Sequence, residues 1–129
     1  MCRVCATLLI HNLGLTFADV LCACDIWRHI QAYYRIDSEQ AVRVESNLNG
    51  EALPPGIGSL LIYGREYKGT GHVAVVTGVN FESSEIRVCE ANYLNRYWPG
   101  DYARRLPLVA RNGGFWVLDA HLIGWKIIV

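Results

Sequence analysis

The sequence carries no excess of either charge: 12 Lys and Arg are balanced by 12 Asp and Glu. Basic residues form no run that would track a phosphate backbone, so nucleic acid is not expected as a partner. No uninterrupted apolar stretch reaches the about 18 residues that a membrane-spanning helix needs, so no membrane partner is expected. Internal repeats, low-complexity tracts and composition breaks between domains are also missing. The 129 residues, 52% of them apolar, therefore suit one domain with its own core, spanning 1–129. The stretch from Met1 to Ile10 has a basic residue and a short apolar run but no small-residue cleavage site, which argues against a secretory signal. The 5 cysteines, four of them within the first 24 residues, are odd in number and clustered. That pattern suits a reducing compartment better than a disulfide framework, and a cytoplasmic protein is expected.

What is present divides into two rhythms. In the first third, Leu8, Leu9, Ile10 and Leu13 form an apolar run that Asn12 and Gly14 would end. Thr16 then reads as an N-cap with Asp19 in the first turn. Phe17, Val20, Leu21, Cys24, Trp27 and Ile30 recur at three- and four-residue spacing, predicting a helix that ends near Tyr34. Residues 35–57 read as irregular. Beyond Gly56 the period shortens: Ser59–Tyr63, His72–Val79, Ile86–Asn92, Tyr102–Val109, Phe115–Asp119 and Gly124–Val129 read as strands. Asn112-Gly113 marks a tight hairpin turn. Helices followed by consecutive antiparallel strands predict an α+β fold, with N-terminal helices packed on an antiparallel sheet.

His72 opens an apolar strand directly after Gly69-Thr70-Gly71. With a reference pKa of about 6.5, an imidazole at a strand mouth can move protons at neutral pH. The simpler alternative is a strand-end histidine with a satisfied hydrogen bond. The next strand carries Glu90 and Asn92 near its end. A hairpin register that sets His72 opposite Asn92 and Ala74 opposite Glu90 points all four side chains to one face. A carboxylate or amide beside an imidazole fixes its tautomer, which is the orienting role in a catalytic triad. The competing reading is a Glu90 that faces solvent.

Cys2 and Cys5 are the candidate nucleophiles, since a thiolate near a helix N-terminus and an imidazolium is stabilised. Either would otherwise be a small buried hydrophobe. Cys22, Cys24 and Cys89 read as structural. Cys2-x-x-Cys5 with Cys22-x-Cys24 also suggests a four-thiolate zinc site. On a helix, however, Cys22 and Cys24 would point about 200° apart, so no metal is expected. Tyr93, Tyr97, Trp98, Pro99 and Gly100 suit either a substrate wall or a loop packed over the sheet end. His11, His29 and His121 read as structural or exposed, and Arg104-Arg105 as a solvated strand face.

Together, Gly58-Ser59-Leu60-Leu61-Ile62-Tyr63, Thr70-Gly71-His72-Val73-Ala74-Val75-Val76 and Arg87-Val88-Cys89-Glu90-Ala91-Asn92 resemble the CHAP-type cysteine amidase domains. The likeness is greatest to the amidase halves of glutathionylspermidine synthetase/amidase and trypanothione synthetase. Phe17-Ala18-Asp19-Val20, Asp25-Ile26, the Asn112-Gly113 hairpin and Gly124-Trp125 fit the same pattern. The resemblance implies a papain-like fold and thiol-dependent cleavage of a C–N amide bond. Its substrate would be a thiol–polyamine conjugate such as glutathionylspermidine, or a peptide. It casts Cys2 as nucleophile, His72 as proton carrier, Glu90 as its orienting group and Asn92 as a supporting residue, with no cofactor. Thr7-Leu8 stand where that family has paired arginines, and the segment that precedes the family's cysteine is lacking here. Two further readings follow: a truncated, inactive relative that binds or regulates, and a cell-wall peptide amidase.

Overall fold

The computed structural model describes residues 13–18, 20, 22–90 and 102–129. Their architecture is a nine-stranded antiparallel sheet in the order β1-β2-β3-β9-β4-β5-β6-β7-β8. The strands are β1 Leu15–Thr16, β2 Ala32–Arg35, β3 Ala41–Leu48, β4 Leu60–Tyr63 and β5 His72–Asn80. They continue with β6 Glu85–Cys89, β7 Arg104–Arg111, β8 Gly114–Val117 and β9 Leu122–Ile128. A short helix, α1, covers Asp25–His29. No helix among the described residues is long and apolar enough to cross a membrane.

The α+β, papain-like expectation of N-terminal helices packed on a sheet is therefore corrected: the regular structure of the described residues is nearly all antiparallel sheet, about 49% strand against 6% helix. In place of a helix from Thr16 to Tyr34, β1 pairs with β2 through Leu15↔Arg35 and Thr16↔Tyr34, and only five of the described residues between them are helical. The apolar spacing there reported burial rather than helix. Phe17, Ile26 and Ile30 are buried in one core cluster, and Val20 and Trp27 pack against it. The irregular stretch predicted for 35–57 also contains a strand. Val42 and Val44 alternate with Arg43 and Glu45 along β3, which pairs with β2 and β9.

The six strands predicted beyond Gly56 are all present with shifted ends. β7 and β8 meet at Arg111↔Gly114. Asn112 (φ 53°) and Gly113 (φ 76°) between them both occupy the left-handed region that a two-residue type I′ turn requires.

The central strand β4 is buried along its whole length, because both faces of the sheet carry a core. Leu60, Ile62, Val73 and Val75 face Ile26, Ile30 and Tyr33. Leu61, Tyr63, Ala74 and Val76 face Ile86, Val88, Leu106, Leu108, Val117 and Trp125. Each such Val, Leu or Ile side chain contributes roughly 1.5–3 kcal/mol on leaving water. The second set comes from six neighbouring strands, so the sheet curls around it. The curl is sealed where β8 meets the chain just after β3: Gly50 N donates to Phe115 O at 2.7 Å, and Phe115 N to Glu51 O at 2.9 Å. Asn49 adds side-chain bonds to Val117 N (2.8 Å) and Val117 O (3.0 Å). A Cβ on Gly114 would lie 1.9 Å from Gly50 O, so the seal closes only over glycine.

The outer core also holds a charge. Lys126, opposite Leu60 and Ser46, is wholly buried. Its ammonium donates to Trp27 O and Ser46 Oγ, both at 2.6 Å, and lies 5.1 Å from the Trp27 ring centroid. Desolvation pulls its pKa down to about 8.

Candidate active site

Five neighbouring stretches of chain each deliver one polar side chain to the same end of the inner core. Tyr63 ends β4, His72 begins β5, Glu90 follows β6, Arg104 begins β7 and Asp119 lies two residues past β8. Each shares its strand's inward parity with buried apolar neighbours: Leu61, Ala74, Val88, Leu106 and Val117, respectively. The apolar stack thus ends in a polar layer.

The local sequence explains how His72 reaches that layer. The turn from Gly64 to Gly71 returns the chain so that Tyr63 and His72 are cross-strand partners. Gly71 has φ 78°, and a Cβ there would sit 2.7 Å from Cys24 Cβ and 2.8 Å from Tyr63 O. Only glycine permits this approach. The imidazole is then fixed between two rings. Tyr67 stacks on it at 4.8 Å and 24°, and Tyr63 lies at 5.3 Å and 59°.

Glu90 joins this arrangement through strand register. Val75↔Cys89 and Val76↔Val88 are partners, so Ala74 and Glu90 fall on the inward face with His72. The Glu90 carboxylate is fully buried and its Oε1 lies 2.5 Å from His72 Nε2, whose side chain is 12% exposed. Arg104 Nε donates to Glu90 Oε2 at 2.6 Å, and its Nη2 donates to Glu90 Oε1 at 3.0 Å. Nη2 also donates to Asp119 Oδ2 at 3.0 Å and to the Tyr63 hydroxyl at 3.3 Å. That hydroxyl donates to Asp119 Oδ2 at 2.6 Å. Among the described residues, no buried side-chain polar atom is left without a partner.

The electrostatics follow from these bonds. Burial alone would push the Glu90 carboxyl up, but hydrogen bonds and charge from His72 and Arg104 outweigh it and hold the group below the usual carboxylate range. Burial works against the Arg104 guanidinium as well. Its bonds to Glu90, with the Glu90 and Asp119 charges, hold it above its ordinary value. Burial, then the hydrogen bond and charge of Asp119, push the Tyr63 phenol far up, so it stays protonated and donates. Glu90 is thus an anion, and it fixes His72 as the tautomer with its proton on Nε2. Nδ1 has no hydrogen-bond partner among the described residues. A ring with one nitrogen tied to a buried carboxylate and the other available is equipped to accept and return a proton.

The structure therefore brings His72 and Glu90 into direct contact. Cys2, Cys5, Asn92 and the aromatic loop Tyr93, Tyr97, Trp98, Pro99 and Gly100 lie outside the described residues. Cys22 and Cys24 are partly exposed, and Cys89 is buried against Thr77, its Sγ 3.9 Å from the Thr77 hydroxyl. Of the four cysteines weighed as zinc ligands, Cys2 and Cys5 fall outside the described residues, among which no group of three or more metal-binding side chains occurs. His29 and His121 are exposed.

Sequence reasoning missed Arg104, Asp119, Tyr63 and Tyr67. Arg104-Arg105 is not a uniformly solvated face: Arg105 is exposed, but the Arg104 side chain is only 13% exposed and doubly ion-paired. The signal was parity. Arg104 alternates in step with Leu106 and Leu108, and a charge on an apolar stripe needs a partner.

This geometry defines an oriented imidazole–carboxylate pair backed by a guanidinium. No family model matches the chain. The bifunctional glutathionylspermidine synthetase/amidase of Escherichia coli (strain K12) is 29% identical over 124 residues, which cover 90% of this chain and 20% of that protein. The bifunctional glutathionylspermidine synthetase/amidase of Shigella flexneri gives the same figures. The chain thus spans about one fifth of the length of the curated relatives it matches.

Proposed function

We propose that this chain is a thiol-dependent hydrolase of C–N amide bonds, acting on a glutathionylspermidine-like conjugate or a peptide amide. The observation that carries the reading is the pairing of His72 Nε2 with the buried Glu90 carboxylate, which leaves Nδ1 as the proton-carrying atom. The two bifunctional relatives, whose names include an amidase, support the same class of reaction.

In this mechanism the Cys2 thiol gives its proton to His72 Nδ1, and the thiolate sulfur attacks the amide carbonyl carbon. Glu90 stabilises the positive charge that forms on the ring. Collapse of the tetrahedral intermediate breaks the C–N bond. The leaving amine takes the proton from Nδ1, and the acyl group stays on sulfur. Water, losing a proton to Nδ1, then cleaves the thioester and restores the thiol. Asn92 supports the site.

The test is release of spermidine from glutathionylspermidine. His72→Ala should lower the rate by about 1000-fold or more, because both acid and base roles disappear. One thiol, Cys2, should react with iodoacetamide far faster than the others at neutral pH. Uniformly slow alkylation together with no spermidine release would sink the proposal. Binding of the conjugate without turnover would replace it with a binding-module reading, and preferential cleavage of peptidoglycan fragments with a cell-wall peptide amidase.

A further inference from the structure

We propose that Arg104, itself anchored by Asp119 and Tyr63, is the positioning residue that aims Glu90 at His72. The inference rests on the hydrolase reading for its kinetic consequence, but its structural content stands apart from it. The guanidinium meets the carboxylate along two bonds, Nε to Oε2 and Nη2 to Oε1. Such a fork fixes the carboxylate plane as well as its place. Oε1, the oxygen shared with Nη2, is the one 2.5 Å from His72 Nε2. The same Arg104 Nη2 is held in turn by Asp119 Oδ2 and the Tyr63 hydroxyl. Its backbone is fixed by the pairing of Arg104 with Val88, two residues before Glu90. The chain of contacts runs from the β8 end, through β7, to the imidazole on β5.

Without the guanidinium, Glu90 would keep His72 as its one partner in a wholly buried setting. Desolvation then raises the pH at which the carboxyl takes up a proton. A protonated, rotated carboxyl no longer accepts reliably from Nε2, and the ring loses its single tautomer. The other charged and titratable groups around His72 do not replace this hold. Tyr67 stacks on the imidazole and Tyr63 lies tilted against it, Lys68 lies 5.7 Å above the Tyr67 ring, and the Asp119 carboxylate is engaged by Tyr63 and Arg104.

Arg104→Gln and Arg104→Lys test the proposal, each checked for folding by circular dichroism. In R104Q the Glu90 carboxyl, followed by carbon NMR, should titrate about one pH unit or more above wild type. The nitrogen spectrum of His72 should lose its single Nε2–H form. With glutathionylspermidine as probe, kcat should fall on the order of 100-fold with KM nearly unchanged, as expected for a mis-set general acid–base group. R104K restores the cation but not the fork. It should bring the carboxyl titration back toward wild type while kcat recovers only in part.

A folded R104Q with wild-type carboxyl titration and tautomer would overturn the proposal, reducing Arg104 to a structural ion pair. Should R104Q not fold, R104K decides: a lowered kcat at constant KM supports the fork, and wild-type kcat and tautomer overturn it. If wild-type protein releases no spermidine, the hydrolase reading falls, while the two NMR measurements still decide the positioning role.

Discussion

The two faces of the sheet bury charge in opposite ways. On the inner face, Glu90 is matched by Arg104 and Arg104 by Asp119, so that charges meet charges, with the His72 ring hydrogen-bonded to the same carboxylate. On the outer face, Lys126 meets, among the described residues, a carbonyl, a hydroxyl and the face of an indole. The difference shows in protonation. The matched carboxylate is held more firmly ionised than in water, whereas the ammonium with neutral partners loses its proton more easily. Burial alone therefore does not set the state of a group. The partner decides whether a buried charge survives.

The largest expected effect comes from making the matched face unmatched. Glu90→Gln leaves Arg104 with half its ion pairing and should destabilise the fold by about 3–5 kcal/mol in urea unfolding. It should also remove part of the acid sensitivity. The depressed Glu90 pKa contributes stability that is full above the ordinary carboxylate range and fades as pH falls below it. Wild type should thus lose stability faster than E90Q on acidification, and equal slopes would contradict the pairing.

Lys126→Met tests the other face. With a folded pKa of about 8 against an ordinary 10.5, the unfolded chain binds more protons between those values. Wild-type stability should then rise with pH across that window relative to K126M, by about 3 kcal/mol in all. Below pH 8 the full cost of the buried ammonium is present, so K126M should be the more stable there. A difference independent of pH would show that Lys126 does not titrate in this range.

The smallest effect sharpens the contrast within one dipeptide. Arg105 is exposed, with the Tyr102 ring 5.6 Å from its guanidinium. Arg105→Ala should change stability by about 0.5 kcal/mol, against several-fold more for its inward neighbour. A large loss on R105A would break the parity argument on which the placement of Arg104 stands.

Strand parity was written plainly in the sequence. Period-two alternation made β4 to β9 legible, because a strand buried on one or both faces writes its parity directly into residue choice. The same register brought His72 and Glu90 to one face before any coordinates. Phe17 to Ile30 misled because residues lying over a curved sheet can bury every third or fourth side chain without being a helix. β3 was hidden by Arg43 and Glu45, which alternate with Val42 and Val44 along it. The backing of the site was harder to read. Asp119 reaches Arg104 only because the sheet curls, and no local spacing encodes a contact between Tyr63 and Asp119, 56 residues apart.

The seal between β8 and the chain after β3 has a consequence in time. Asn49 and Val117 stand 68 residues apart, so their bonds require a long loop to close, whereas the β7–β8 hairpin closes over two residues. The hairpin therefore forms early and the seal late, and a fold dominated by such distant pairings belongs to the slow, millisecond-to-second class. Opening reverses that order. Transient loss of the seal exposes the Gly50 and Phe115 amides first, and their hydrogen exchange should outrun that of β4, whose amides wait for global unfolding.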